Sequence, residues 1–197
     1  MAANIELKAH VHELDAVRAR AAALAKDPST VIDQTDTFFA VSTGRLKVRA
    51  FADGSGELIS YERADDHGPK TSVYTRVSCQ DARAMADALG RVLPRRGIVV
   101  KRREVFLVGR TRIHLDRVDN LGSFVELEVV LAAEESSDAG RQEACELLRS
   151  LEIPESALVA GAYIDLLEQQ TRPDRRTAYT TPRRRRARPV DSPKAER

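Results

Sequence analysis

Alternation of apolar and charged residues, sustained over most of the chain, limits its fold more than any other feature. In the opening IELKA, Ile5 and Leu7 fall on one side of an extended strand and Glu6 and Lys8 on the other, because successive side chains of a strand face opposite ways. The same period of two runs through Asn4 to His10, Thr35 to Ser42, Arg45 to Phe51, Glu57 to Arg63, Ser72 to Ser78, Ile98 to Gly109, Thr111 to Asp119 and Ser123 to Leu131. Gly54-Ser55-Gly56 and Gly109-Arg110 lie between such runs and read as hairpin turns, which makes the neighbouring strands antiparallel.

Helical spacing interrupts this pattern three times. Leu14, Val17, Ala21 and Leu24 form one apolar face, Ala82, Met85, Leu89 and Val92 a second, and Ala144, Leu147, Leu148 and Leu151 a third. A further short helix is expected over residues 155–170, after Pro154 and before Arg172-Pro173. The sequence therefore reads as an α+β chain in which a long antiparallel sheet supplies apolar surface for amphipathic helices.

The charged sides of the strands bear on function. Arg45, Lys47 and Arg49 share a face, and Lys101 and Arg103 repeat the theme. Arg112, His114 and Asp116 share another face, as do Phe124, Glu126 and Glu128. Taken strand by strand, each could be the solvated face of an ordinary sheet. Two features argue for a closed barrel with the charges inside. The helices need apolar surface to cover, and a barrel with its apolar residues outward offers it to all of them. Solvated faces also mix signs, whereas here bases cluster without acids and Glu126 and Glu128 sit together without a base. These faces hold seven bases (Lys8, Arg45, Lys47, Arg49, Lys101, Arg103, Arg112) and four acids (Glu6, Asp116, Glu126, Glu128), a surplus of +3 that calls for an anion. Carboxylates suit Mg²⁺ or Mn²⁺, which take one or two carboxylates together with phosphate oxygens. A metal–polyphosphate complex would satisfy both sets. His114 is read as a hydrogen-bonding neighbour and not as a ligand of a hard cation.

Several classes are excluded or disfavoured. No GxxxxGK[ST] loop and no Ser/His/Asp or Cys/His arrangement occurs, so phosphate binding falls to side chains. Cys79 and Cys145 form no CxxC and read as small buried hydrophobes. No apolar run reaches membrane-spanning length and the start is charged, which points to a cytoplasmic protein without a membrane partner. The net charge is +2, yet residues 171–197 carry ten Lys/Arg against three Asp/Glu, leaving the preceding 170 residues at −5. That Pro- and Arg-rich end, with Arg183 to Arg186 and Arg188, is expected to be a disordered tail. The domain proper is expected to span residues 1–170. Nucleic-acid binding would rest on the tail alone.

Quoted in chain order, IELKA, QTDTFF (34–39), GRLKVR (44–49), VVKRREVF (99–106), RIHLDRVDNLGSFVELEVV (112–130) and AYIDLL (162–167) resemble the CYTH superfamily of triphosphate tunnel proteins, in particular its class IV adenylyl cyclase branch. The resemblance covers residues 4–167. It implies an eight-stranded antiparallel closed β-barrel with the helices packed outside. It also implies Glu6, Asp116, Glu126 and Glu128 near Mg²⁺ or Mn²⁺, and Lys8, Lys47, Arg49, Lys101 and Arg103 around the phosphates as the catalytic cations. Arg45 and Arg112 join these as substrate-binding candidates. The chain departs from the pattern twice: Asn4 replaces the first glutamate of the signature, and Tyr61-Glu62-Arg63 stands where many relatives carry a lysine, so Arg63 is the candidate substitute. The implied activity is conversion of ATP to cyclic AMP and pyrophosphate. The alternatives are hydrolysis of an organic or inorganic triphosphate, as in thiamine triphosphatases, and a non-catalytic polyphosphate- or nucleotide-binding module. A homodimer is implied by the resemblance only.

Overall fold

Eight antiparallel strands close on themselves in the order β1-β5-β4-β3-β2-β6-β7-β8. They are β1 (Ala2–His10), β2 (Thr30–Phe39), β3 (Arg45–Phe51), β4 (Gly56–Arg63), β5 (Lys70–Cys79), β6 (Arg95–Val108), β7 (Thr111–Val118) and β8 (Gly122–Val130). The structure, a computed structural model, describes residues 2–133 and 135–171. The basic run Arg183 to Arg186 and Arg188 lies outside the described residues. Among the described residues no helix is long and apolar enough to cross a membrane.

The first strand closes the barrel, pairing with β5 through Asn4↔Ser72 and with β8 through Lys8↔Glu126. Both expected hairpins form. Phe51 donates its N–H to the Ser55 carbonyl, with Gly54 at φ +86°, and Gly109 at φ +58° begins the two-residue link from β6 to β7. These left-handed conformations suit glycine, which lacks the Cβ that would clash there.

Parity divides the barrel as the alternation requires. Ile5, Leu7, Ile113, Leu115, Val125 and Leu127 are buried on the outside, under helices α1 (Leu14–Leu24) and α3 (Ser137–Ser150). Leu14, Val17 and Ala21 of α1 and Ala144 and Leu148 of α3 are the buried contacts. A third helix, α2 (Ala82–Gly90), covers Leu46, Val48 and Leu58. Asp81 caps it by accepting from the Ala84 N–H.

The strand and helix limits differ from the sequence reading in a few places. The second strand starts at Thr30 and stops at Phe39, where expectation ran from Thr35 to Ser42. The helix α2 ends before Val92, which is 76 % exposed. Residues 155–170 are not one helix: a short 3₁₀ turn, Glu155–Ala157, precedes a separate helix α4 (Tyr163–Thr171), which runs one residue past the expected domain limit. Gly161 at φ +79° makes the break, a conformation few other residues adopt. Cys79 and Cys145 are half-buried, not core residues; Cys79 packs at the edge of the cluster under α2.

The last helix has a different place from the other three. Its first residues, Tyr163 and Ile164, pack with Phe38, Val99, Val118 and Phe124, all of them on the inward parity of their strands. The helix thus seals one end of the barrel, while α1, α2 and α3 pack outside it.

Candidate active site

Inward parity and closure together make a lumen of about 300 Å³, within the range of small-molecule sites. Seven of the eight expected substrate-binding residues line it: Lys8, Lys47, Arg49, Arg63, Lys101, Arg103 and Arg112. Of the expected metal residues, Glu6, Glu126 and Glu128 line it as well. Arg76, Asp36 and Glu57 join them, which gives eight bases against five acids and a surplus of +3.

Arg45 and Asp116 are placed elsewhere. The Arg45 guanidinium donates to the Asp65 carboxylate at 2.5 and 2.6 Å, to the Arg63 carbonyl at 3.2 Å and to Asp165 of α4 at 3.3 Å. It ties the β4–β5 connection to the end helix and does not line the lumen, because its strand position is the one nearest that end. Asp116 is fully buried within the wall. Its Oδ1 accepts from Arg103 Nε at 2.6 Å, and its Oδ2 from Arg103 Nη2 at 2.6 Å, Lys101 Nζ at 3.3 Å and the Tyr163 hydroxyl at 2.9 Å. Burial works to raise its pKa, but Arg103 and Lys101 outweigh this and hold the carboxyl below its usual range.

Asp36, on β2, makes the corresponding contacts with β3. Its Oδ1 accepts from Arg49 Nε at 2.8 Å, and its Oδ2 from Arg49 Nη2 at 2.9 Å and Lys47 Nζ at 2.7 Å. Asp36 sits in the quoted QTDTFF on the inward parity with Gln34 and Phe38, so its face was legible, although its partners on β3 were not. Tyr163, also absent from the expected set, had no such signal, since strand parity says nothing of a helix that enters the barrel end. Its ring lies 3.9 Å from Lys8 Nζ and meets Phe124 edge-on.

Three of the remaining carboxylates, Glu6, Glu126 and Glu128, gather where β1 and β8 pair. Glu6 lies directly opposite Glu128, and Lys8 opposite Glu126. Like charges facing each other across a strand pair are unfavourable unless something bridges them. Here Arg63 Nη1 reaches Glu6 at 2.5 Å, Arg112 Nε reaches Glu128 at 2.6 Å, and Arg103 Nη2 reaches Glu126 at 2.6 Å. Asn4 donates its side-chain N–H to Glu128 and leaves its buried Oδ1 without a partner. Turned to these guanidiniums, the acids do not converge as a ready-made cluster: among the described residues no three His, Cys, Asp or Glu groups do. The chemistry of the set nevertheless fits a hard divalent cation, since Glu6, Glu126 and Glu128 offer carboxylate oxygens from adjacent strands. His114 lies 3.9 Å from Glu126 and 3.7 Å from Glu128, and burial followed by Arg103 lowers its pKa, so it is neutral near pH 7.

The lumen favours an anion in a second way. Arg63 keeps Nε and Nη2 buried without a partner, an arrangement that costs stability unless a ligand accepts from them. Burial, then Arg103, pushes Lys101 down to about 7, and burial, then Arg49, pushes Lys47 down to about 8. Crowded, desolvated cations of this kind are restored to full charge by a bound polyanion.

A CYTH domain family model matches residues 2–163, a span that takes in every strand of the barrel. Among solved structures, the PH1012 protein of Pyrococcus horikoshii has a TM-score of 0.74 at 22% identity, with 83% of this chain and 98% of that one covered. A candidate adenylate cyclase of Vibrio parahaemolyticus gives 0.70 at 18%, covering 84% and 97%. The candidate adenylyl cyclase HpAC1 of Hippeastrum, described as having a dominant triphosphatase activity, gives 0.61 at 14%, covering 88% and 98%. No curated protein matches the chain. The family match therefore agrees with a barrel reached independently from strand parity and closure, and the chain belongs to the CYTH domain family.

Proposed function

We propose that the lumen binds a triphosphate-bearing substrate with Mg²⁺ or Mn²⁺ and catalyses displacement at phosphorus, in the manner of a class IV adenylyl cyclase. The observation that carries this reading is the composition of the cavity wall, eight bases against five acids around about 300 Å³. Lys8, Lys47, Arg49, Arg63, Lys101, Arg103 and Arg112 are the cations assigned to the phosphates. A divalent cation held by Glu6, Glu126 and Glu128 supplies charge neutralisation and polarises phosphate oxygens when bound.

Gripping the triphosphate from several walls fixes its conformation, which converts an encounter into an aligned displacement. For ATP, the ribose 3′-oxygen attacks the α-phosphorus, the bond to the β-phosphate bridging oxygen breaks, and cyclic AMP, pyrophosphate and a proton result. The lysines and arginines offset the charge that grows on the leaving pyrophosphate. The second reading is hydrolysis, with water as the attacking group and the same cations holding the chain of phosphates. The dominant triphosphatase activity described for the Hippeastrum relative favours keeping it. We assign residues 1–170 to the catalytic domain, residues 171–197 to a basic tail, and the protein to the cytoplasm, where nucleoside triphosphates and Mg²⁺ are supplied.

Product analysis after incubation with ATP, thiamine triphosphate or inorganic triphosphate, each with Mg²⁺ or Mn²⁺, decides between these readings. Cyclic AMP identifies the cyclase and phosphate release the triphosphatase; binding without product identifies a non-catalytic module. Glu126→Gln, which removes a charge at nearly constant shape, is expected to lower metal-dependent turnover at least 100-fold in a folded barrel. Turnover unchanged by that substitution would rule out the carboxylate set.

A further inference from the structure

Asp36 and Asp116 hold their Lys-x-Arg pairs through the same atoms, Asp116 accepting in addition from the Tyr163 hydroxyl. Each lies on the strand beside a Lys-x-Arg pair and directly opposite its arginine, Asp36 facing Arg49 and Asp116 facing Arg103. In both, Oδ1 takes Nε of the arginine, while Oδ2 takes Nη2 and the lysine Nζ. Both carboxylates are almost wholly buried, at 2 % and 0 % exposure. A buried ion pair does not by itself add stability over an apolar replacement, so its duplication, once between β2 and β3 and once between β6 and β7, asks for another reason. Side-on engagement of a guanidinium fixes its plane and leaves the Nη1 corner, which the aspartate does not take, for another acceptor.

We propose that Asp36 and Asp116 are positioning residues that lock two equivalent phosphate clamps, Lys47-Arg49 and Lys101-Arg103. The inference rests on the reading of the lumen as a polyphosphate site. It moves Asp116 from the metal set to the support of a clamp, and it gives Asp36 a role through Lys47 and Arg49, not through contact with substrate.

Asp36 offers the cleaner test. Lys47 is faced by Asp36 of β2, by Arg49 on its own strand, by Tyr61 of β4 at 5.8 Å and, across the lumen, by Glu126. Burial and Arg49 push its pKa to about 8, and Asp36 is the contact that holds it up. Without that carboxylate the lysine loses its proton at lower pH, and Arg49 loses its anchor. Binding of inorganic triphosphate is measured by calorimetry from pH 6.5 to 8.5, with folding checked by thermal melting. Asp36→Asn is expected to bind within about threefold of wild type at pH 6.5 and about fivefold more weakly at pH 8, where a one-unit fall from about 8 takes the protonated fraction of Lys47 from about one half to about one tenth. In a Lys47→Ala/Arg49→Ala background the same substitution is expected to change affinity less than about twofold, as additivity fails for residues acting through one another. A wild-type pH profile in Asp36→Asn, or an equal loss in both backgrounds, overturns the proposal. If Asp36→Asn does not fold, Asp36→Glu keeps the charge and displaces it by one methylene. Its profile should then keep the wild-type shape with weaker binding at every pH, and unchanged binding overturns the proposal. Wild-type protein that takes no triphosphate overturns the reading of the lumen, and this inference with it.

Discussion

Lysine protonation in the lumen is set by burial, and it gives binding a measurable signature. Lys101 at about 7 and Lys47 at about 8 are both partly or largely neutral at pH 8 in the free protein. A triphosphate placed among them favours their charged forms and raises both pKa values, so protons move from solvent to protein on binding. Calorimetry at pH 8, in buffers of different ionisation enthalpy, should show uptake of about one proton per triphosphate. Lys101→Arg keeps a permanent charge and should show less uptake. No uptake in wild type would mean that the phosphates do not reach these lysines. At the same scale, parity told which side chains share a face, and so grouped six of the cavity cations, Lys8, Lys47, Arg49, Lys101, Arg103 and Arg112, whereas Arg63 came from the family resemblance alone. It could not tell that Arg45 turns to Asp65 and Asp165, because those partners come from a loop and a helix.

Strands and helices constrain each other most tightly at Gly56, where β4 begins. A Cβ there would lie 2.0 Å from the Arg49 carbonyl oxygen and 2.6 Å from the Ala82 Cβ. Neither neighbour is a flexible side-chain end: one is the backbone of β3, the other the first residue of α2. Gly56→Ala should therefore destabilise the fold by about 1–3 kcal/mol, the usual range for overpacking, read from the urea midpoint at constant m-value. Triphosphate affinity should fall as well, since the displaced backbone carries Arg49. Stability within about 0.5 kcal/mol of wild type would show that the contact relaxes freely. Three helices were legible from their apolar spacing because each packs outside on a continuous apolar wall. The fourth was merged with its preceding turn, because the left-handed conformation at Gly161 that separates them answers to the shape of the barrel end.

For the whole molecule, the closed barrel gathers a surplus of +3 around a small lumen, and a ligand that relieves it should stabilise every strand at once. Inorganic triphosphate at about 100 times its dissociation constant adds about 2.7 kcal/mol to the folded state, or about 5–10 °C in Tm for a domain of this size. The shift should shrink as salt is raised, and diphosphate at the same concentration should give a smaller one. An unchanged Tm would count against a polyanion site. The sequence by itself determined the alternation, the hairpins at Gly54 and Gly109, three amphipathic helices and the segregation of charge by face, because each depends on residues within a few positions of one another. Tertiary structure alone decided that Glu6 faces Glu128, that Asp36 and Asp116 each engage an arginine and a lysine side chain, that Arg45 leaves the lumen and that Tyr163 enters it. Those contacts depend on the register with which β1 closes against β5 and β8 and on where a helix meets the open end, and register between distant strands is fixed only when the barrel shuts.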